Sequence, residues 1–339
     1  MVESMQAQVL VAAGPVDNFK MAEVPVPALR PGHVLIRVAA TSVNPIDLKI
    51  REGLPVGPEL PATIGCDVAG TVVAVGEGVD RFQAGDEVYG CAGGFKGMGG
   101  ALAQYLLADA DLLAAKPRSL AMRDAAALPL VGITAAEALQ RSQVRAGERV
   151  LVLGAGGGVG HIALQLALAA GAQVVASVRS DAAAQRARDL GATEVLQAPG
   201  PQELQALGDR LSGGAGFDVV LDTVGGRSLD TAFALAARHG RVAAIAARST
   251  HDLSPLHAKG LSLHVVFMPL PLLHGTGRAG HGATLQRLAA LVDAGRLRPI
   301  VDPRRFALAD APQAHAYLAS GQAQGKVVVE IACAAQEAA

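Results

Sequence analysis

The sequence contains few aromatic residues and almost no net charge. Aromatic side chains make up 3% of its 339 residues, and the formal net charge is -1. RNA-binding proteins use stacking aromatics and a basic surface, and the electrostatic field of a basic protein attracts nucleic acids and anionic membranes. We therefore expect neither a nucleic-acid partner nor a membrane partner.

Cysteine is also scarce. The three cysteines, Cys66, Cys91 and Cys333, are odd in number and widely spread, which fits neither a disulfide framework nor a zinc cluster. The nine histidines form no H-x-x-x-H pair, and the first residues lack the basic segment of a signal peptide. These absences predict a cytoplasmic protein with reduced thiols.

One long segment, from Val150 to Val178, lacks charged residues altogether. Its length would suit a transmembrane helix. Its centre, however, reads GAGGGVG, and glycine inside a helix costs about 1 kcal/mol per residue relative to alanine. The better interpretation is a buried strand, a glycine turn and a buried helix.

The chain is long enough for two domains, because one hydrophobic core rarely serves more than about 250–300 residues. The first part reads as short strands interrupted by Gly, Pro and Asp, which is typical of a small β domain. The middle alternates strands with helices, which predicts an α/β fold with a doubly wound parallel sheet. The predicted segments are strands at 149–153, 173–177, 194–196, 217–221, 241–246 and 263–267, and helices at 158–170, 181–190, 201–211 and 228–237.

A glycine motif gives the strongest functional signal. Gly154, Gly157 and Gly160 follow a strand at three-residue spacing and open a helix, with Gly158 and Val159 in its first turn. A pyrophosphate must approach the backbone closely, and a helix N-terminus offers it unpaired N–H groups and a positive dipole end. The motif therefore predicts a dinucleotide site, the alternative being a tight structural turn.

The end of the second strand of this domain indicates which dinucleotide binds. NAD sites usually place an acidic residue there for the ribose 2′-hydroxyl, whereas this chain has Ser177 and Arg179, with no acid before Asp181. Because arginine binds phosphate with two hydrogen bonds, the sequence predicts NADPH. Equally efficient use of NADH would contradict this prediction, and a surface role for Arg179 is the alternative.

Two further segments, DTVGG after the fourth strand and the residues after the fifth, fall where ligands bind in such sheets. We expect adenosine or nicotinamide contacts at Gly225 and Ala246.

Together with TSVNPIDLKIREG, PATIGCDVAGTVVAVGEGV, QAGDEVYG, LPLVGITAAEAL and the terminal GKVVV, these motifs resemble the medium-chain dehydrogenase/reductases over nearly the whole length. The similarity is to their quinone oxidoreductase (zeta-crystallin-like) members. It implies a GroES-like β-rich domain at 1–127, to which 269–339 returns, and a Rossmann domain at 128–268, with the active site in the cleft between them. It also implies a homodimer, in which Leu261–Phe267 could extend a sheet across subunits.

The same resemblance predicts a protein without catalytic zinc. Zinc-dependent relatives have Cys where this chain has Asn44, His-Glu where it has Cys66-Asp67, and a third ligand near Leu130–Gly132, where this chain has none. One thiol cannot make the three-ligand site that catalytic zinc needs. The stretch that matches the relatives' four-cysteine lobe, Tyr89–Gln104, holds only Cys91.

Asn44 and Asp47 match a polar pair of the zinc-free relatives and are the predicted catalytic residues. Asn44 would hydrogen-bond a substrate oxygen, although Asn-Pro is also a common turn and Asp47 could simply cap the following helix. Lys326 is expected to give structural support, and Cys66 to be a buried small hydrophobe. The tyrosine that several relatives carry after the Asn motif is absent, which leaves water or Lys49 as proton donor.

The resemblance completes the set of expected cofactor contacts. The cofactor-binding residues expected on these grounds are Thr134, Gly154, Gly157, Gly158, Val159, Gly160, Ser177, Arg179, Gly225, Ala246 and Phe267.

The predicted function is zinc-independent hydride transfer from NADPH to quinones or conjugated carbonyls. The first alternative is an enone or enoyl-thioester double-bond reductase with poor activity on quinones. The second is an NADPH-binding redox sensor or adaptor without turnover.

Overall fold

A computed structural model describes residues 3–331, so that Cys333 lies outside the described residues. The chain divides into two units. Unit 1 contains the residues up to Leu130, Pro269–Gly295 and the residues from Pro299 onward, and unit 2 contains Val131–Met268 and Arg296–Arg298. The last three residues belong with unit 2 because the Gln165 side chain donates to the Arg298 carbonyl at 3.0 Å and accepts from its N–H at 2.9 Å.

The first part of unit 1 consists mainly of strands, and α3 leads from it into unit 2. Its elements are β1 (Ser4–Leu10), β2 (Phe19–Pro25), β3 (His33–Val43), α1 (Pro45–Arg51), β4 (Ala62–Thr63), β5 (Asp67–Val75), β6 (Glu87–Cys91), β7 (Tyr105–Asp109), β8 (Leu113–Ala115), α2 (Met122–Ala126) and α3 (Pro129–Arg141).

Unit 2 alternates strands and helices. Its elements are β9 (Arg149–Leu153), α4 (Gly158–Ala169), β10 (Gln173–Val178), α5 (Asp181–Asp189), β11 (Glu194–Gln197), α6 (Pro201–Ser212), β12 (Phe217–Asp222), α7 (Arg227–Leu235), β13 (Ala236–Ala244), α8 (Ser254–Lys259) and β14 (Ser262–Val265).

The chain then returns to unit 1. The remaining elements are α9 (Leu270–His274), α10 (Arg278–Asp293), β15 (Phe306–Ala307), α11 (Ala311–Ala319) and β16 (Val327–Glu330).

The sheet of unit 2 is parallel throughout, in the order β11-β10-β9-β12-β13-β14. This is the order of a doubly wound dinucleotide-binding sheet, in which the direction of winding reverses between β9 and β12. The predicted doubly wound sheet is therefore confirmed. The uncharged segment forms β9, a turn, α4 and β10, and no helix of the described residues is long and apolar enough to cross a membrane.

One boundary in unit 2 differs from the prediction. Residues 228–237 were expected to be helical and 241–246 to form the next strand, but α7 ends at Leu235 and β13 begins at Ala236. Ala236 pairs with Phe217 of β12, and the pairing shifts register before Arg241 pairs with Val219. Since His239 has a positive φ within this shift, the irregular strand start was not recognisable as a strand.

Unit 1 contains two sheets. One has the order β2-β1-β4, and the other has the order β15-β16-β3-β5-β6-β8, with β7 also paired to β3. The last strand, β16, runs antiparallel to β3, and Val327 pairs with Val43. This register brings Lys326, the residue before Val327, next to Asn44, the residue after Val43.

Candidate functional site

The glycine turn of unit 2 joins β9 to α4 and has the predicted tight geometry. Gly154 has a φ of 77°, and its N–H and that of Ala155 both donate to the Ser177 carbonyl, at 3.1 and 3.0 Å. A Cβ on Gly160 would lie 2.2 Å from the Gly154 carbonyl oxygen, so only glycine lets α4 pack this close to the turn. Gly157, the N-cap of α4, is exposed, and its N–H donates to the Gly154 carbonyl at 2.9 Å. The N–H groups of the next two residues, Gly158 and Val159, have no partner within the helix because they lie in its first turn.

The end of β10 is polar and cationic. Ser177 is half-buried on the strand, and Arg179 is exposed just beyond it. The next residue, Ser180, caps α5 by accepting from the Ala183 N–H at 3.3 Å. Within residues 3–331 the Arg179 guanidinium forms no ion pair, so its charge faces the solvent.

The loops after β9, β12 and β13 are held together. The Thr223 hydroxyl donates to the Leu153 carbonyl at 2.7 Å, and a Cβ on Gly225 would lie 2.3 Å from the Ala246 carbonyl oxygen. The predicted residues Gly154, Ser177, Gly225 and Ala246 thus lie along one edge of the sheet, at the carboxyl ends of its strands.

Two other predicted cofactor contacts lie in other elements of unit 2. Thr134 is buried on α3, with 6% of its surface exposed. Phe267 follows the edge strand β14 and is 37% exposed.

Asp222 was missed as a site residue by reasoning from the sequence. Its buried carboxylate accepts from the backbone N–H groups of Val224 and Gly225 at 3.1 Å and from the Ser228 hydroxyl at 2.8 Å. The side chain therefore fixes the conformation of the DTVGG loop. The signal available in the sequence was an acidic residue at the end of an otherwise apolar strand.

Unit 1 contains a second group of polar side chains, which is completely buried. Asn44, between β3 and α1, donates from Nδ2 to Oδ2 of Asp67 at 2.8 Å, and its Oδ1 accepts from the ammonium group of Lys326. The same Asp67 oxygen accepts from the Ser42 hydroxyl at 2.6 Å, and Oδ1 accepts from the Leu130 N–H at 2.8 Å. We refer to Ser42, Asn44, Asp47, Cys66, Asp67 and Lys326 as the polar cluster.

Asp47 joins this cluster from the first turn of α1. Its Oδ2 accepts from the Asn44 N–H at 2.8 Å, which caps the helix start, and its Oδ1 accepts from the Cys66 thiol at 2.9 Å. Burial raises the pKa of Asp47 to about 6. Burial, reinforced by the neighbouring Asp47 carboxylate, raises the pKa of the Cys66 thiol, which fits an inert buried thiol.

Lys326 and Asp67 form the charged pair of the cluster. Their nitrogen and Oδ2 lie 3.9 Å apart, and 4% and 0% of the two side chains are exposed. Burial lowers the pKa of Lys326 and raises the pKa of Asp67, while the attraction between the two charges opposes both shifts. The expected structural support from Lys326 thus takes a definite form, an ammonium group held between Asn44 and Asp67.

The cluster also constrains what Asn44 can do. None of the Asn44 surface is exposed, and both ends of its amide bond other side chains. Its expected hydrogen bond to a substrate oxygen stays a prediction, and the geometry favours a role in positioning the β3–α1 junction.

In the described part of the chain, no group of three or more His, Cys, Asp or Glu side chains is placed to hold a metal ion.

Two protein-family models match parts of the chain. The GroES-like domain of alcohol dehydrogenases matches residues 30–118, and the zinc-binding dehydrogenase family matches residues 190–329.

Individual relatives match nearly the whole chain. The chloroplastic NADPH-dependent alkenal/one oxidoreductase of Arabidopsis thaliana is 33% identical over 96% of this chain and 80% of its own length. The quinone oxidoreductase of Sus scrofa is 32% identical over 93% of this chain and 94% of its own. The solved structure of an alcohol dehydrogenase superfamily protein from Novosphingobium aromaticivorans has a TM-score of 0.92 and 41% identity, and the match covers 97% of this chain and 100% of that one.

Proposed function

Since the chain belongs to the medium-chain dehydrogenase/reductase family, we propose that it is an NADPH-dependent, zinc-independent reductase of quinones or conjugated carbonyls. Its relatives make it an oxidoreductase of the enone or quinone type that uses NAD(P)H. The choice of NADPH as cofactor rests on the glycine turn between β9 and α4 together with the Arg179 guanidinium at the end of β10, which forms no ion pair within residues 3–331.

The residues of unit 2 fit the cofactor. The pyrophosphate would bind at the start of α4, where the N–H groups of Gly158 and Val159 have no partner within the helix. The exposed Gly157 beside them has no side chain to block its approach. Ser177 and Arg179 would bind the 2′-phosphate, for which a guanidinium that forms no ion pair within residues 3–331 is well suited.

Further contacts would come from the other expected residues. Gly225 and Ala246 lie on the loops after β12 and β13, where the second half of the dinucleotide binds in such sheets. We place Thr134 and Phe267 in the same role.

When bound, the reduced nicotinamide supplies a hydride. The contribution of the protein is to bind, orient and exclude water from the reactants. A conjugated acceptor suits a site without a Lewis-acid metal, because the negative charge spreads onto a distant oxygen that hydrogen-bond donors can stabilise.

The composition of the polar cluster supports the zinc-independent part of the proposal. Asn44 and the pair Cys66-Asp67 stand where the zinc-dependent relatives have Cys and His-Glu, and each of the three side chains bonds another side chain of the cluster. Lys326 adds a positive charge where a metal would have to bind, and like charges repel. The cluster would thus hold the start of α1 in place by hydrogen bonds instead of metal coordination.

A second candidate is a double-bond reductase of enones with poor activity on quinones. The alkenal/one oxidoreductase among the relatives favours it. An acceptor panel decides between the two: we expect turnover with both short enones and quinones, and product analysis tells which bond is reduced. Turnover of enones alone would support the second candidate, and tight NADPH binding without any turnover would support a sensor or adaptor.

We also propose that the protein forms a homodimer through the edge strand β14. We propose that it works in the reducing cytoplasm. Val265 and Phe267 expose 44% and 37% of their surfaces at this edge, and an unpaired edge strand readily pairs with another chain. Cys66 and Cys91 are free thiols, which suits a reducing compartment. Sedimentation velocity of the V265K variant tests the dimer, since a lysine on the edge should shift the protein to monomers.

A further inference from the structure

Three side chains of unit 2 form a hydrogen-bonded chain that the proposed function does not use. The Ser249 Oγ lies 2.5 Å from Nε2 of His251, and Nδ1 of His251 lies 2.7 Å from Oδ1 of Asp230. Ser249 and His251 belong to the loop between β13 and α8, and Asp230 belongs to α7. A hydroxyl, an imidazole and a carboxylate bonded in this order can pass a proton from one end to the other.

The packing around the imidazole holds the chain in one arrangement. Only 8% of the His251 side chain is exposed, and the Phe233 ring meets it edge to face, with ring centroids 6.1 Å apart. Ser249 is exposed at one end of the chain, and Asp230 is 51% exposed at the other. The base is therefore fixed, while its hydroxyl partner is open to a ligand and its carboxylate partner to water.

The position of Ser249, in the loop that follows β13, indicates what the three hydrogen-bonded side chains could do. Because Arg179 would bind the 2′-phosphate, the adenosine half of the dinucleotide would lie on the β10 side of the point between β9 and β12 where the winding reverses. The nicotinamide half then belongs to the β12 and β13 side, because the dinucleotide lies across that point. Ser249 follows β13 by five residues, at the carboxyl edge where the nicotinamide half would bind.

We propose that Ser249, His251 and Asp230 form the proton relay of the reductase, with Ser249 as the group that protonates the reduced acceptor. This inference rests on the proposed function. Reduction of a conjugated carbonyl needs one proton as well as one hydride, and the Asn44 segment contains no tyrosine that could donate it.

The acceptor that has taken up a hydride is an anion, and it removes the proton from the Ser249 hydroxyl, so that a new C–H or O–H bond forms. The Ser249 oxygen recovers a proton from Nε2 of the doubly protonated imidazole. His251 is then neutral, with its Nδ1 proton still bonded to Asp230. After the product leaves, water at the exposed Ser249 end returns one proton through the hydroxyl to Nε2, which restores the starting state.

The kinetic test uses Ser249→Ala and His251→Gln, with two matched controls from the same region, Thr250→Ala and His257→Gln, both at exposed positions. We expect kcat of the first two variants to fall about 100-fold, the size typical of lost general acid catalysis, with unchanged NADPH affinity. Their solvent deuterium isotope effect should rise, and the isotope effect of deuterated NADPH should fall, because protonation becomes the slow step. Both controls should behave as wild type.

A second readout needs no cofactor and no turnover. In the NADPH-free protein with 15N-labelled histidine, we expect S249A to shift the His251 Nε2 signal and D230N to shift its Nδ1 signal, with H251Q assigning both. A side chain that only stabilised the loop would lower the melting temperature in these variants without changing the two isotope effects.

The possible results separate this inference from the function on which it rests. If wild type reduces acceptors with NADPH while S249A and H251Q keep its kcat and isotope effects, the relay is refuted and the reductase stands. His251 signals that do not respond to S249A or D230N also refute the relay. If wild type reduces no acceptor, both proposals fail.

Discussion

Single residues in the polar cluster of unit 1 show how a buried site can be stabilised without a metal. Lys326 and Asp67 are both desolvated, and breaking such a pair by removing one partner typically costs about 3–5 kcal/mol. Asn44 stands between them and bonds both. Its neutral amide accepts from the ammonium donor on one side and donates to the carboxylate on the other, which is what a buried polar group requires. The charged nitrogen and oxygen themselves lie 3.9 Å apart.

Asp47 should make stability depend on pH. Its pKa in the folded chain is about 6, against 3.8 for the free side chain, so the folded protein binds this proton more tightly. As the pH rises from about 4 to about 6, the free energy of unfolding should therefore decrease by about 3 kcal/mol, at 1.4 kcal/mol per pH unit. Denaturant titrations of wild type and Asp47→Asn measure this change. As the pH rises through this window, wild type should lose stability relative to the variant, because the amide of the variant does not titrate. A difference that stays constant with pH would show that Asp47 titrates normally.

Arg179 should determine the choice of cofactor. Replacing it with Ala should weaken NADPH binding roughly 10 to 100 times, the loss expected for hydrogen bonds to a charged group, and leave NADH binding unchanged. Arg188→Ala, at an exposed position of the adjacent α5, is the matched control. Fluorescence titration with both cofactors gives the result, and equal losses for NADPH and NADH would exclude a contact with the 2′-phosphate.

At the scale of elements, the glycine turn between β9 and α4 illustrates what a motif predicts and what it leaves open. The spacing of Gly154, Gly157 and Gly160 predicted a strand, a turn and a helix, and these are present. The motif did not distinguish the glycines from one another. In the structure Gly160 is enclosed by backbone, whereas Gly157 faces the solvent.

The two glycines should therefore respond differently to replacement by alanine. Gly160→Ala places a Cβ 2.2 Å from the Gly154 carbonyl oxygen, and should cost about 1–3 kcal/mol of stability, as overpacking does. Gly157→Ala brings its Cβ to 3.3 Å from the Gly154 carbonyl oxygen. It should lower the melting temperature much less than Gly160→Ala does, while NADPH binding weakens about tenfold. Thermal unfolding and cofactor titration of both variants test the distinction. Normal NADPH binding by Gly157→Ala would mean that the pyrophosphate does not approach this turn.

At the scale of the whole molecule, the sequence predicted the doubly wound sheet because its periodic strands and helices are local patterns. The polar cluster could not be predicted in the same way, since Lys326 reaches Asn44 only through the pairing of β16 with β3, 282 residues away along the chain. The chain of Ser249, His251 and Asp230 likewise depends on how a loop packs against α7. Ser, His, Asp, Asn and Lys occur at many positions of the sequence, so the residue types alone could not indicate which of them meet in the fold.

The rate of NADPH oxidation in the presence of a metal chelator tests whether the protein is a zinc-independent, NADPH-dependent reductase. Wild-type protein is assayed against benzoquinone and a short enone, with NADH in place of NADPH as the comparison and without acceptor as the blank. We expect acceptor-dependent oxidation of NADPH that the chelator does not slow and that is faster than the oxidation of NADH. Loss of activity with chelator that zinc restores, or faster turnover with NADH, would contradict it.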